Sequence, residues 1–248
     1  MAMDPMRQLE RCHLILEPQP LSGFENMRRD ASLLSAAATS QWPEQAGILR
    51  LYAWKEPTLS IGYFQKLEAI VATPRWQSLP VVRRLSGGGA ILHDREWTYS
   101  LTVPHWPQLV ERPHELYARI HQPIVGVLNS IGIPAQFRGV TNHLPLEPDL
   151  CFLRSDENDL VIGHQKILGS AQRRRKGSLL QHGSLILSSS PVTPEIHGIS
   201  DIYGTAINES LRLELATKIA SNISQQVHIH NDWPAELSSL LNEAETSA

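Results

Sequence analysis

The pattern of apolar and polar positions predicts short strands interrupted by a few amphipathic helices. Strands are predicted where β-branched and aromatic residues concentrate, at residues 48–54 (ILRLYAW), 97–103 (WTYSLTV), 178–187 and 227–230. Helices are predicted where apolar residues recur at three- and four-residue steps, at residues 24–38, 113–131 and 211–223. A last short helix begins at Pro234, since proline suits the first helical turn. Strands and hairpins mixed with a few helices favour an α+β fold over a doubly wound sheet.

The sequence makes detailed predictions for two of these helices, those at residues 24–38 and 113–131. The first is predicted to bury one face, made of Phe24, Met27, Ala31, Leu34 and Ala38. In the second, Pro123 should kink or split the helix, because proline has no amide proton to donate. Its buried stripe is predicted to run from Leu116 to Ile131, and Gly132 is placed to end it.

The centre of the chain, residues 81–94 (VVRRLSGGGAILHD), is predicted to form a strand, a glycine loop and a second strand. Three adjacent glycines at 87–89 suit a place where backbone approaches a ligand closely or takes a positive φ. Arg83 and Arg84 just before them suggest a carboxylate, phosphate or carbonyl ligand. A glycine-rich hairpin turn with solvated arginines explains the same residues equally well, because the loop matches neither common phosphate-binding pattern.

Composition narrows the classes of protein that fit. The chain has 248 residues, a net charge of −3, and no apolar run near the roughly 20 residues that a membrane span needs. These values argue against a nucleic-acid-binding or membrane protein, and the N-terminus lacks the apolar region of a signal peptide. The two cysteines, Cys12 and Cys151, form neither a disulfide framework nor a zinc-binding pair. We therefore expect one large domain in a reducing cytoplasm.

A second group of candidate residues lies in and around a predicted hairpin at residues 159–172. Lys166 sits inside its apolar pattern, and either points outward or presents its ammonium to an acyl carbonyl or phosphate beside Gly169–Ala171. Cys151 is either a core thiol or a nucleophile activated by a nearby positive charge. The basic run Arg173–Lys176 is either a solvated tip or a docking site for an acidic protein.

Taken together, these segments resemble the lipoate/biotin protein ligase and octanoyltransferase superfamily, in the family's motif order. The matching segments are Asn26-Met27 with Asp30, residues 54–65 (WKEPTLSIGYFQ), residues 83–90 (RRLSGGGA) with His93-Asp94, and residues 163–172 (GHQKILGSAQ) with 181–184 (QHGS). The resemblance covers about residues 20 to 230. It implies a mixed β-sheet flanked by helices with a smaller second sheet, a medium-chain acyl or biotin substrate, and a lysine acceptor on a carrier domain. Residues 1–20 would be an extension and first strand, 21–230 the catalytic domain, and 231–248 a C-terminal helix and tail.

Within this superfamily, the residues favour the cysteine-lysine octanoyltransferases over the ATP-dependent ligases. Ligases commonly carry an Asn-Asp pair before the lysine motif, whereas this chain reads Thr141-Asn142-His143. Few residues follow Val227, which leaves no room for the accessory domain that lipoate ligases often have. Cys151-Phe152, fifteen positions before Lys166, resembles the Cys-Phe element of one transferase branch. A lipoate–protein ligase and an amidotransferase between carrier proteins remain the alternatives.

The resemblance implies a transfer in two steps, in which Cys151 takes an octanoyl group as a thioester and a carrier lysine then takes it as an amide. Lys166 would keep Cys151 as a thiolate and manage the proton of the incoming amine. The implied substrate-binding residues are Arg84, Ser86, Gly87, Gly88, Gly89, His93, Gly169, Ser170, Ala171 and His182. The implied partners are octanoyl-acyl carrier protein and the lipoyl domains of E2 subunits or the glycine cleavage H protein. No metal or other cofactor is needed in this interpretation.

Overall fold

The computed structural model describes residues 8–39, 42–43, 45–105, 112, 114–140, 152, 154–204 and 207–241. Its strands are β1 (Leu9–Leu16), β2 (Ala46–Tyr52), β3 (Thr58–Ile61), β4 (Val81–Arg83), β5 (Ile91–His93), β6 (Glu96–Val103), β7 (Ala135–Phe137), β8 (Leu160–Ile162), β9 (Gln165–Arg175), β10 (Ser178–Ile186) and β11 (Ser224–His230). Its helices are α1 (Gly23–Ala36), α2 (Leu67–Val71), α3 (Glu115–Ser130), α4 (Ile199–Tyr203), α5 (Glu209–Ile223) and α6 (Ala235–Ser238). Within these described ranges, every helix is too short or too polar to cross a membrane.

Two sheets of unequal size form the frame of the molecule. The larger has eight strands in the order β11-β1-β2-β6-β10-β9-β8-β7, and the smaller has three in the order β4-β3-β5. Strands β11, β1 and β2 run parallel, whereas the pairs from β2 through β6 to β7 are antiparallel. This confirms the predicted α+β class with a mixed sheet and a smaller second sheet.

The glycine loop joins two strands that do not pair with each other. Strand β4 pairs in parallel with one edge of β3, and β5 pairs antiparallel with the other edge. The interpretation of residues 81–94 as a hairpin turn is therefore wrong, because β3 lies between the two arms. The loop must instead cross one end of the small sheet.

Helices cover both faces of the large sheet. Alternation along β1 sends Leu14 into the core under α3 and α5, and sends Ile15 to the opposite face, against α1 and α6. The α5 face is the predicted one, with Leu211, Leu215 and Ile219 buried. A third apolar cluster lies under the small sheet.

Helix α1 buries a face that differs from the predicted one, and of the five residues predicted for it only Leu34 is buried. Phe24 is 72% exposed, while Asn26, Asp30 and Leu33 are buried. The reason is Arg50 of β2, whose side chain is completely buried and needs anionic partners. The sequence pattern of apolar residues could not identify this face because its N-terminal half is polar.

Arg50 is held by carboxylates from two other elements. Its guanidinium forms ion pairs with Asp30 of α1 at 2.5 Å and with Glu17, just after β1, at 3.0 Å. Asp30 also accepts hydrogen bonds from Ser100 at 2.7 Å and Tyr52 at 3.3 Å. Burial raises the pKa of Asp30, and the neighbouring Arg50 charge opposes that rise.

Helix α3 continues through Pro123, so of the two expected outcomes, a kink or a split, the split is wrong. Proline at 123 leaves the carbonyl of Arg119, four residues earlier, without its intrahelical donor. The side-chain amide of Asn222 in α5 donates to that carbonyl at 2.7 Å. The helix ends where predicted, at Gly132 with φ +85°, but Ile131 is 44% exposed and lies outside the buried stripe.

The two hairpins around β9 follow from their turn residues. Gly163, with φ +59°, and His164 join β8 to β9, as predicted. Lys176 and Gly177, both with positive φ, form the two-residue turn from β9 to β10. The basic run is therefore mostly strand, since Arg173–Arg175 end β9 and Lys176 alone belongs to the turn.

We predict that Arg50→Met destabilises the protein by about 3–5 kcal/mol, because it leaves Asp30 buried without its counter-charge and leaves Glu17 with Arg29 as its remaining arginine partner. Arg75→Ala is the matched control, since the Arg75–Glu195 pair is exposed and such pairs contribute about 0–1 kcal/mol. Urea unfolding of the two variants measures the difference. Equal losses would contradict the structural role of Arg50.

Candidate active site

A cavity of about 380 Å³ lies between the glycine loop and strands β9 and β10. Nine of the twelve predicted site residues line it, namely Arg84, Gly87, Gly88, His93, Lys166, Gly169, Ser170, Ala171 and His182. Ser86 and Gly89 are not among the lining residues. Cys151 and the segment 141–143 lie outside the described residues. Two segments far apart in sequence are thus brought to one cavity.

The side chain of Lys166 is buried and ion-paired. Its Nζ lies 2.9 Å from Oδ1 of Asp159 and donates to the carbonyl of Arg154 at 3.4 Å. The same ammonium lies 5.1 Å from the ring centre of Phe152, the residue that follows Cys151 in the sequence. The alternative in which Lys166 points into solvent is therefore wrong.

Asp159 fixes the position of that ammonium. Its Oδ2 accepts a hydrogen bond from the backbone amide of Asp156 at 2.9 Å and lies 3.6 Å from the guanidinium of Arg138. Burial raises the pKa of Asp159, and the Lys166 charge acts in the opposite direction. The lysine is thus held at one end of the cavity by a carboxylate that sequence reasoning did not single out.

The absence of a side chain at position 169 leaves room for Lys166. A Cβ there would stand 2.7 Å from Cε and 3.0 Å from Nζ of Lys166. Position 183 is similarly constrained, because a Cβ would overlap Oγ of Ser170. These two glycines serve close side-chain approach rather than an unusual backbone conformation.

Arg84 holds the glycine loop in place. Its guanidinium donates to the carbonyls of Gly87 at 2.8 Å, Gly89 at 2.6 Å and Ser60 at 3.0 Å. Gly88 takes φ +92°, and its carbonyl lies so close to Gly62 that a Cβ at position 62 would overlap it. Arg84 therefore binds the backbone of the cavity wall, whereas the sequence analysis had suggested a ligand as the partner of its guanidinium.

His93 is oriented by three neighbours. Its Nδ1 lies 2.7 Å from the Glu96 carboxylate and its Nε2 lies 2.8 Å from the Ser60 hydroxyl, while its ring stacks on Trp54 at 3.8 Å. A carboxylate only accepts, so Nδ1 carries a proton. Ser60 accepts from Arg84 at 3.2 Å and is free to donate to Nε2. Sequence reasoning found His93 but missed Glu96, three residues on.

Ser86, His182 and Asp30 have the residue types of a serine-histidine-aspartate triad. Ser86 lies 2.5 Å from Nε2 of His182, but the Nδ1 of that ring is 3.9 Å from Asp30, beyond hydrogen-bond distance. Burial, with Arg84 and His93 nearby, lowers the pKa of His182 from 6.5 to about 3. Ser86 is also fully buried. The set therefore supports the glycine loop rather than serving as a nucleophilic triad.

A cluster of hydrogen bonds lies beneath Ser170. His121 Nδ1 faces the carbonyl of Asn158 at 2.7 Å, so that nitrogen must donate, and Nε2 must accept from Ser170 at 2.8 Å or from Tyr99 at 3.3 Å. The hydroxyls of Ser170 and Tyr99 lie 2.7 Å apart, and Tyr99 accepts from Gln181 at 2.9 Å. The Ser170 hydroxyl is thus held at the cavity wall by two buried partners.

Three residues of the site lack a sequence signal of their own. Asp159 precedes a strand, Glu96 begins one, and His121 lies in the buried stripe of α3, so each fits an ordinary structural role. What distinguishes them is their place in the folded structure. Asp159 lies beside Lys166, Glu96 beside His93, and His121 beside Ser170. Among the described residues, no group of three or more His, Cys, Asp or Glu side chains could hold a metal ion.

The fold is that of the lipoate ligase catalytic domain. A solved structure of the bipartite lipoate protein ligase from Thermoplasma acidophilum, studied with its E2 lipoyl domain, superposes with a TM-score of 0.61 at 18% identity. The superposition covers 96% of this chain and 92% of the other. Residues 22–228 match the lipoyl protein ligase A/B catalytic domain family, and the chain belongs to that family.

Proteins that match this chain in sequence are more similar to it than the ligase of known structure is. The chain is 36% identical over 174 residues to octanoyltransferase LipM of Macrococcus caseolyticus, an alignment that covers 66% of this chain and 62% of the relative. It is 35% identical over 189 residues to octanoyltransferase LipM of Carboxydothermus hydrogenoformans, covering 75% and 66%. The chain thus matches slightly less than two thirds of the length of these relatives.

The buried histidines should make stability depend on pH. Burial lowers the pKa of His121 from 6.5 to about 4, so the unfolded state binds more protons than the folded state between these values. The free energy of unfolding should therefore fall as pH drops, by about 2 kcal/mol per such histidine between pH 7 and pH 5. His121→Gln should reduce this fall by about that amount in urea unfolding. An unchanged pH dependence would mean that the pKa of His121 in the fold is close to its value in the unfolded chain.

Proposed function

We propose that this chain moves an octanoyl group from acyl carrier protein, through a thioester on Cys151, to a lysine of a lipoyl-carrier domain. The observation that carries the proposal is the buried Lys166 ammonium at the cavity, 5.1 Å from the ring of Phe152. The names of the sequence relatives, octanoyltransferase LipM, support the same activity.

The first step needs a thiolate at Cys151. A free thiol with a pKa near 8.5 is only a few per cent ionised at pH 7, and an adjacent ammonium increases that fraction. In the proposed step the Cys151 sulfur bonds to the octanoyl carbonyl, and the bond to the carrier's sulfur breaks. Lys166 gives a proton to the departing carrier thiolate and becomes neutral.

The second step returns that proton. The neutral amine of the acceptor lysine bonds to the octanoyl carbonyl, and the bond to the Cys151 sulfur breaks. Lys166 takes the amine's proton and regains its charge beside Asp159. Over both steps no proton or electron is gained or lost, so the cycle needs neither a nucleotide nor a redox partner.

The second candidate function is an ATP-dependent lipoate–protein ligase, which the structural likeness to the Thermoplasma acidophilum ligase favours. Such an enzyme forms an acyl-adenylate and needs no cysteine. An amidotransferase between carrier proteins would use the same two residues but take its acyl group from a lipoyl-carrier domain. The three differ in donor, so the donor is what an experiment should vary.

We expect the wild-type protein, mixed with octanoyl-acyl carrier protein without ATP, to gain one octanoyl mass that hydroxylamine removes. Cys151→Ala should abolish both the adduct and the transfer, and Lys166→Ala should slow transfer by about two orders of magnitude or more. Intact-mass analysis and a lipoyl-domain gel shift measure these effects.

Cys12→Ala is the control for these variants. Cys12 is fully buried, and burial raises its pKa to about 12, so its thiol should not react. An adduct that survives Cys151→Ala, or a strict requirement for ATP with free octanoate or lipoate, would favour the ligase instead.

Gly169→Ala should reduce transfer by about tenfold or more, because the new methyl group would push the Lys166 ammonium away from Asp159. Gly126→Ala is the matched control, since a Cβ there meets no atom within 4 Å and alanine suits a helix interior. Transfer rates and urea unfolding should be measured together. A normal rate in Gly169→Ala would mean that the Lys166–Asp159 geometry is not required.

A further inference from the structure

Large apolar side chains are exposed beside the cavity, on one loop and at the start of helix α2. Phe64 is 82% exposed, Tyr63 42% and Leu67 40%. The rings of Tyr63 and Phe64 meet edge to face at 5.0 Å. We call these three residues, together with Arg173, the aromatic rim. Exposed large apolar side chains grouped in this way are typical of sites that bind another protein.

The backbone of the aromatic rim is rigidly held. One guanidinium nitrogen of Arg83 donates to the carbonyls of Gly62, Tyr63 and Gln65 at 3.0, 2.9 and 2.8 Å. The backbone amide of Gly62 donates to the side-chain oxygen of Gln65, and the carbonyl of Gly62 accepts from the backbone amide of Gln65. The backbone that carries Phe64 is therefore already ordered, which lowers the entropy lost when a partner covers the side chain.

The aromatic rim borders the cavity on two sides. The amide of Tyr63 donates to the carbonyl of Ser86 at 2.9 Å, and the next two residues, Gly87 and Gly88, line the cavity. On the other side, the Arg173 guanidinium lies 4.6 Å from the Tyr63 ring centre, and Gln172 beside it also lines the cavity. A partner seated on the rim would therefore reach the cavity opening.

The charge around the rim is positive. Arg175 lies on the same face of β9 as Arg173, because side chains alternate along a strand. Arg174, Arg175 and Lys176 are exposed at the end of this hairpin, and Arg83 is exposed beside the rim. In a chain with net charge −3, this concentration of positive charge suits an acidic partner.

We propose that the aromatic rim docks an acidic domain that bears the acceptor lysine, with Phe64 as its apolar anchor. This rests on the proposed function and names the partner that the rim selects. A lysine carries its amine on a stem of only four carbons, so its domain must touch the cavity opening for the amine to enter. An acyl chain on a long flexible arm imposes no such contact on its carrier.

The test separates the two half-reactions in the full chain. Phe64→Asp should raise the KM for a lipoyl domain by about tenfold or more at saturating octanoyl-acyl carrier protein, with kcat little changed. The rate at which the enzyme itself acquires the octanoyl group from the carrier protein should stay at the wild-type value. Arg173→Ala should raise the same KM at low salt and reduce its dependence on salt.

Ile229→Asp is the control, since Ile229 is 47% exposed on β11, five strands from β9 across the large sheet. An unchanged KM in Phe64→Asp would overturn the proposal, and so would an equal loss in the first half-reaction. Direct binding of the lipoyl domain, followed by calorimetry, tests docking even if no octanoyl transfer occurs. Transfer that fails in the wild type would refute the proposed function, and wild-type binding equal to that of Phe64→Asp would refute the docking site.

Discussion

The fully buried guanidinium of Arg50 is the constraint on which the arrangement of the large sheet and first helix depends. A charge without access to water must be paired. Its partners Asp30 and Glu17 come from α1 and from the end of β1. Helix α1 is thereby fixed against the sheet through its polar face. Met27 of the same helix lines the cavity, so this pairing also positions one wall of the site.

The cavity itself is shaped by places where side chains are absent. Gly62 lets the small sheet approach the carbonyl of Gly88, Gly169 leaves space for the end of Lys166, and Gly183 leaves space for Ser170. Each position brings together backbone and side chains from segments distant in sequence. A methyl group at any of these three positions would clash with its neighbour and push the contacting segments of the site apart.

The polar groups of the site are ordered as well as packed. Acceptors that cannot donate, the Glu96 carboxylate and the Asn158 carbonyl, fix which nitrogen of His93 and of His121 carries a proton. The hydroxyl of Ser60, which accepts from Arg84 and donates to His93, is oriented in turn. Lys166 and Asp159 stand apart from these chains as a separate ion pair, so the ammonium keeps its own acidic partner within the site.

The sequence by itself determined the α+β class and most strands and helices, which follow from local periodicity and turn residues. Its ordered motifs, through the family resemblance that they carry, pointed to nine of the residues that line the cavity. All of these signals depend on neighbours along the chain. Tertiary structure alone decided the polar face of α1, the continuity of α3 through Pro123, and the roles of Asp159, Glu96 and His121. Each of these depends on a partner from another element, such as Arg50, Asn222 or Lys166, and contacts between distant segments leave no periodic signal in the sequence.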